Sequence, residues 1–349
     1  MKKISVIIPC YNAARWIDRC MTSIMAQTIG IGSLEIICID DASTDDTWEH
    51  LQKWERQFSN DIVLIRQEVN RRQGAARNLG LQYATTEWIA FVDADDWLEP
   101  VYFERLYGPT MRYSLDVVSC GFIRDAADSY VISGRGSGRQ GKEQYIAEDT
   151  EDVKRLLFRY KSLGPGAWAK IIRKNLLIEN WISFPEGVVY EDHYWVPLLH
   201  VYAVNVYIIE EELYHYFWNP HSTVLSRAQE HHLDQLTVQM MKWKDYRERG
   251  LLSDYRQEIE YDLIWYAVTS FMKTIILFWD EPPYPYFRLG QEIMKQQVPD
   301  HEENPYIEDL SEVNRMLLDL LYSTVDKEGF RQISGQIKML LGGQQMEEE

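Results

Sequence analysis

The feature that most constrains this 349-residue chain is the alternation, within its first hundred residues, of strand-length apolar runs with segments of helical spacing. Residues 4–8 (ISVII), 34–39 (LEIICI), 62–65 (IVLI) and 88–92 (WIAFV) are apolar at nearly every position. Residues 14–25, 47–58 and 74–84 instead carry apolar side chains three and four apart. A strand that is apolar on both faces must be covered on both faces, and βα repeats of this kind make a parallel sheet. The expected class is therefore α/β, a Rossmann-like, mostly parallel central sheet flanked by helices. Ligands of open α/β sheets bind at the carboxyl ends of the strands, so the residues after each run carry the functional information.

Further along, residues 116–119 predict another strand, and 133–141 (SGRGSGRQG) have the glycine and serine density of a loop, a candidate flap. Residues 168–180 predict a helix. Residues 184–190 lead into Glu191 and Asp192 at the start of another helix, and 204–209 are strand-like. A globular unit closing near residue 225 is expected, in two parts, about 1–115 and about 116–225. Residues 226–349 read as an appended helical region, broken at Pro282, Pro283, Pro285, Pro299 and Pro305. Aromatics there, such as Trp243, Trp265, Trp279, Tyr284 and Tyr286, read as core.

Charge removes whole classes of function. Lys and Arg number 36 against 54 Asp and Glu, a net charge of −18 that repels nucleic acid and anionic lipid surfaces. The four cysteines form no CxxC pair and suit a reducing cytoplasm. The apolar start is stopped at Pro9, too short for a secretory signal, and residues 263–279 are interrupted by Thr269, Ser270, Lys273 and Thr274 where a spanning helix needs ~20 apolar residues.

The strand ends carry the chemistry. The first ends in Pro9, Cys10, Tyr11, Asn12, a fixed backbone with a ring that can stack on a base. The second ends in Asp40 and Asp41; Ser43 and Asp46 beyond them predict a capping box for the next helix. Adjacent carboxylates need a donor or cation, and they accept hydrogen bonds from an imide or from ribose hydroxyls. Residues 70–78 (NRRQGAARN) read as a loop turning into a helix, with Arg77 on its first turn, an arrangement that suits phosphate oxygens. A GxGxxG fingerprint is absent, against a dinucleotide cofactor. The fourth strand ends in Asp93, Ala94, Asp95, Asp96, three acids in four positions that demand a counter-charge and suit Mg2+ or Mn2+. Phosphatases of the haloacid dehalogenase type also end a strand in DxD, but on their first strand. Glu191 and Asp192 can act as a base, or serve as first-turn acids favoured by the helix dipole. Lys170 is a candidate phosphate partner. His193, His200, His215 and His221 form no pair with metal-ligand spacing.

Taken in order, SVIIPCYN at 5–12, EIICIDDASTDDT at 35–47, NRRQGAARNLGL at 70–81, WIAFVDADDW at 88–97, AWAKIIRKNLL from 167 and FPEGVVYEDHYW up to 195 resemble the family 2 glycosyltransferases of GT-A fold, over roughly residues 4–225. The resemblance implies an inverting hexosyl transferase. It would use a nucleotide-sugar donor, most often a UDP-sugar, and a saccharide or lipid-linked saccharide acceptor, in the cytoplasm, at the membrane's inner face or as a homodimer. It further implies that Tyr11 and Asp41 hold the base, with Pro9, Asn12, Asp40, Ala94 and Lys170 around the donor. Arg77 would contact the base or diphosphate, Asp93 the ribose or sugar, and Asp95 with Asp93 a divalent metal. Asp192 would be the base, with Glu191 and Asp96 as supporting acids. Two other readings compete. A nucleotidyltransferase would need a glycine- and lysine-rich loop after the first strand, which residues 10–16 lack, and a catalytically silent carbohydrate-binding protein would lack Asp95 or Asp192, which are present.

Overall fold

The computed structural model describes residues 1–125, 143–146, 163–219 and 222–345. The candidate flap at 133–141 lies outside the described residues. The chain divides into two compact units, Met1–Pro220 and His221–Glu349.

In the first unit, β1 (Ile4–Cys10), β2 (Leu34–Asp40), β3 (Ile62–Arg66) and β4 (Trp88–Phe91) form an all-parallel half-sheet in the order β3-β2-β1-β4. Every residue of β1 is buried, as its nearly unbroken apolar run requires, and the one hydroxyl, on Ser5, is satisfied by Glu35 and Thr86. Pro9 is tolerated in this central strand because the ladder to β4 ends at Ile7 and Phe91. Helices α1 (Ile17–Met25), α2 (Thr47–Gln57) and α3 (Arg72–Tyr83) make the crossovers. α3 lies so close to β1 that a Cβ on Gly80 would come 2.4 Å from Cγ2 of Ile7.

Beyond β4 the sheet is mixed. After the short β5 (Trp97–Leu98) and α4 (Tyr102–Tyr107) come β6 (Val117–Asp125), β7 (Glu143–Ile146) and β8 (Lys170–Arg173), and the sheet closes with β9 (Val206–Phe217). β8 runs antiparallel between β4 and β6, and β9 lies parallel to β6 while pairing antiparallel with β5 and β7. The expected helix over 168–180 is corrected here. Lys170–Arg173 is strand, because Ile171 and Ile172 are buried between β4 and β6, and only α5 (Lys174–Glu179) is helical. The predicted capping box is also not formed. Ser43 Oγ accepts the Asn12 N–H at 3.0 Å, while Asp45 accepts the Thr47 N–H at 3.1 Å. The last helix of this unit that bears on the site is α6 (Asp192–Tyr202).

The second unit is helical and has its own core, which includes Leu236, Ile264, Phe271, Phe287 and Leu317; Trp243, Trp265, Trp279, Tyr284 and Tyr286 pack against it. One helical stretch of this unit runs through Arg256–Tyr266, a wider π turn at Ala267–Met272, and Lys273–Leu277. Among the described residues no helix is long and apolar enough to cross a membrane.

Candidate active site

Parallel pairing brings the ends of β1, β2 and β4 to one edge. There Tyr11 is 47% exposed, with its ring available to a planar ligand. Asn12 takes a positive φ of 49°, which asparagine tolerates, and its Oδ1 accepts the Thr44 N–H at 2.8 Å, tying the β1 loop to the β2 loop.

The two acids after β2 separate. Asp41 accepts the Arg71 N–H at 2.8 Å and the Gln67 amide at 3.0 Å, and burial raises its pKa above the ordinary carboxylate value. Asp40 is turned inward. It is fully buried, its Oδ2 lies 3.0 Å from Arg66 Nε, and its Oδ1 accepts the Ser43 N–H at 3.3 Å. Its counter-charge comes from within the chain, on Arg66.

The acids after β4 separate as well. Asp96 is fully buried, receiving the Tyr214 hydroxyl at 2.5 Å and the Phe217 N–H at 2.8 Å; it ties the end of β4 to β9. Burial, with the charges of Asp95 and Asp93, pushes its pKa well up. Ala94 is buried between the acids. Asp95 is held by Asn219 Nδ2 at 3.1 Å on its carboxylate and by Arg19 Nη2 at 2.6 Å on its carbonyl. Burial and the neighbouring Asp93 raise its pKa to about 6. Asp93 accepts Arg77 Nη2 at 2.7 Å.

Arg77 is the hub. It lies within α3 beyond the first turn on which it was expected, because the helix already begins at Arg72. Only 2% exposed, it gives Nη2 to Asp93 and Nη1 to Glu191, a residue 114 positions away, and it lies 5.3 Å over the Phe184 ring. Burial disfavours its charge, but Asp93 and Glu191 more than offset this and hold its pKa above the usual range. Its terminal nitrogens are spent on carboxylates, so this geometry does not offer the expected contact to a base or diphosphate.

Glu191 is buried and precedes α6, whose first residue is Asp192. Asp192 Oδ1 accepts the His193 N–H at 3.0 Å. Burial and the charge of Asp93, partly offset by Arg77, raise Asp192 to about 6, so it is a carboxylate at neutral pH that binds a proton readily. Lys170 is fully buried at the start of β8, its ammonium held by the carbonyls of Gly166 and, at 2.7 Å, Trp168. Burial lowers its pKa to about 7. An ammonium so enclosed does not reach a phosphate in an open cleft.

Sequence reading missed Arg19 and Asn219, which fix Asp95, and Tyr214, which fixes Asp96. No local motif marks them, because β9 brings the latter two across the sheet. Among the described residues no three His, Cys, Asp or Glu side chains converge on one point.

The sequence pattern of the Glycosyl transferase family 2 matches residues 5–169. A relative named as a glycosyltransferase, EpsH of Bacillus subtilis (strain 168), is 28% identical over 261 residues, 74% of this chain and 73% of its own length. The poly(ribitol-phosphate) beta-glucosyltransferase of Bacillus spizizenii is 33% identical over 187 residues, 53% of this chain and 27% of its own. Among solved structures, S. aureus TarS 1–349 in complex with UDP-GlcNAc superimposes with a TM-score of 0.69 at 19% identity, covering 97% of this chain and 92% of that one; the likeness is one of fold.

Proposed function

The chain belongs to the family 2 glycosyltransferases, and on that premise we propose that it transfers a sugar from a UDP-sugar to a hydroxyl of a saccharide or lipid-linked saccharide, with inversion, in the building of a bacterial surface polysaccharide. The observation that carries this reading is the Arg77 fork. It joins Asp93, at the carboxyl end of β4, the edge at which ligands of open α/β sheets bind, to Glu191, the neighbour of Asp192, our proposed base. Support for the donor comes from the UDP-GlcNAc complex of S. aureus TarS, and support for a surface-polymer acceptor from the poly(ribitol-phosphate) beta-glucosyltransferase named above.

Tyr11 stacks on the uracil and Asp41 accepts its imide proton. Asp192 takes the proton of the acceptor hydroxyl as that oxygen bonds to the anomeric carbon. The bond from that carbon to the diphosphate breaks on the opposite face, its electron pair leaving with the phosphate oxygen, through a transition state of oxocarbenium character. With a pKa of about 6 Asp192 is ionised at neutral pH, and it is basic enough to accept the proton as the bond forms.

Asp93 and Asp95 fit a divalent cation. Asp95 is raised to about 6 partly by the charge of Asp93, a repulsion that a cation between them removes, and their hard oxygens suit Mg2+ or Mn2+ completed by substrate phosphate oxygens. When bound, such an ion neutralises the charge that develops on the leaving diphosphate. The four cysteines are free thiols, which suits the cytoplasm. The test is a panel of UDP-, GDP- and dTDP-sugars assayed for metal-dependent hydrolysis or binding. A response to UDP-sugars is expected; a response to another nucleotide alone overturns the donor assignment.

A further inference from the structure

By residue type α3 reads as a phosphate-binding helix start, yet its side chains and backbone are engaged elsewhere. The Asn78 amide contacts the backbone of Phe184 in both directions, donating to the carbonyl at 2.9 Å and accepting from the N–H at 2.9 Å. Its Nδ2 also lies 3.1 Å from Glu186 Oε1. Gly74 admits the Pro185 carbonyl, whose oxygen would lie 2.2 Å from a Cβ at that position. Arg71 accepts the Gly187 N–H on its carbonyl at 3.2 Å and pairs with Glu186 at 2.5 Å. Arg77 then holds Glu191. These contacts all fall on one segment, residues 184–191, which leads directly into Asp192. Tyr190 takes φ +64° there, a conformation an aromatic residue adopts only when its surroundings impose it.

We infer that α3 is the scaffold that positions the base-bearing segment 184–192, with Asn78 and Arg77 as its positioning residues, and is not the diphosphate cradle that its arginines and glycine suggest. The inference rests on Asp192 being the base. Transfer requires the acceptor oxygen, the anomeric carbon and the leaving phosphate oxygen in line with Asp192 within hydrogen-bond reach of the acceptor hydroxyl, and a displacement of about 1 Å costs on the order of 100-fold in rate. Donor binding at the ends of β1 and β2 does not run through Asn78, so loosening the segment separates turnover from affinity.

The experiment uses the full chain as wild type, Asn78→Ala, Asn78→Asp and Gly74→Ala, with steady-state kinetics, titration calorimetry with UDP, and hydrogen exchange over residues 184–192. Asn78→Ala is expected to lower kcat about 10- to 100-fold and to speed exchange in the segment, with the Kd for UDP within about twofold. Asn78→Asp keeps the acceptor for the Phe184 N–H but turns a carboxylate onto the Phe184 carbonyl and Glu186, and is expected to lower kcat at least as far. Gly74→Ala displaces Pro185 and gives the same split if Asn78→Ala folds poorly. Unchanged exchange in 184–192, or a loss of UDP affinity matching the loss of rate, overturns the inference. A wild type that transfers no sugar while Asn78→Ala still loosens the segment overturns the enzymatic reading alone.

Discussion

Asp192→Asn is expected to make the protein more stable at neutral pH while removing its activity. The Asp192 carboxyl is raised from 3.8 to about 6, by burial first and then by Asp93, against the pull of Arg77. The folded chain therefore holds this proton more tightly than the unfolded chain does. Between pH 4 and 6 the folded state binds more protons, so the stability contributed by the neutral form is lost as the pH rises through about 6. Roughly two pKa units at 1.36 kcal/mol each is about 3 kcal/mol, carried as a cost at pH 7.5. Asparagine keeps the oxygen that accepts the His193 N–H and carries no charge. Thermal unfolding should show Asp192→Asn melting about 6–12 °C above wild type at pH 7.5, at about 2–4 °C per kcal/mol for a unit of this size. At pH 4.5 the wild-type cost shrinks to about 1 kcal/mol, and the gap shrinks with it. A variant that melts lower than wild type at pH 7.5, or a gap equal at both pH values, refutes the reasoning.

Three other outcomes are expected. Because the base must be ionised, log kcat/KM should rise with a slope of one below about pH 6 and level off above it; a flat profile from pH 5 to 8 contradicts the assignment. Excess EDTA should abolish transfer and Mn2+ or Mg2+ restore it, and Asn219→Ala, which removes the amide 3.1 Å from Asp95 Oδ2, should raise the metal concentration for half-maximal rate by about tenfold or more. Gly80→Ala drives a methyl to 2.4 Å from Cγ2 of Ile7 and should cost about 1–3 kcal/mol in chemical denaturation.

The parallel half of the sheet was legible because strands buried on both faces must be apolar at nearly every position, and β1, β2 and β4 are, with Ser5 and Glu35 as the interior exceptions. β8 was not. Four residues reading Lys-Ile-Ile-Arg fit a helix as well as a strand, and only pairing with β4 and β6, two partners distant in sequence, decides. The strand-end acids stood out as clusters, but sequence shows charge and not burial. Asp40 and Asp96 turned out to be tied inward, to Arg66 and to Tyr214 and Phe217. Lys170 and Arg77 look like free cations in a sequence that carries a net charge of −18. The fold spends one on main-chain carbonyls and the other on two carboxylates. Asn219 carried no signal at all, since its meaning depends on where β9 ends.

The central claim, that Asp192 is the base of a nucleotide-sugar transfer, is tested most directly by kcat and donor Kd for Asp192→Asn with the UDP-sugar that wild type uses. A fall in kcat of at least about 100-fold with Kd within about threefold is expected, because a positioned base contributes about 10²–10⁴ in rate. Turnover within tenfold of wild type contradicts the claim.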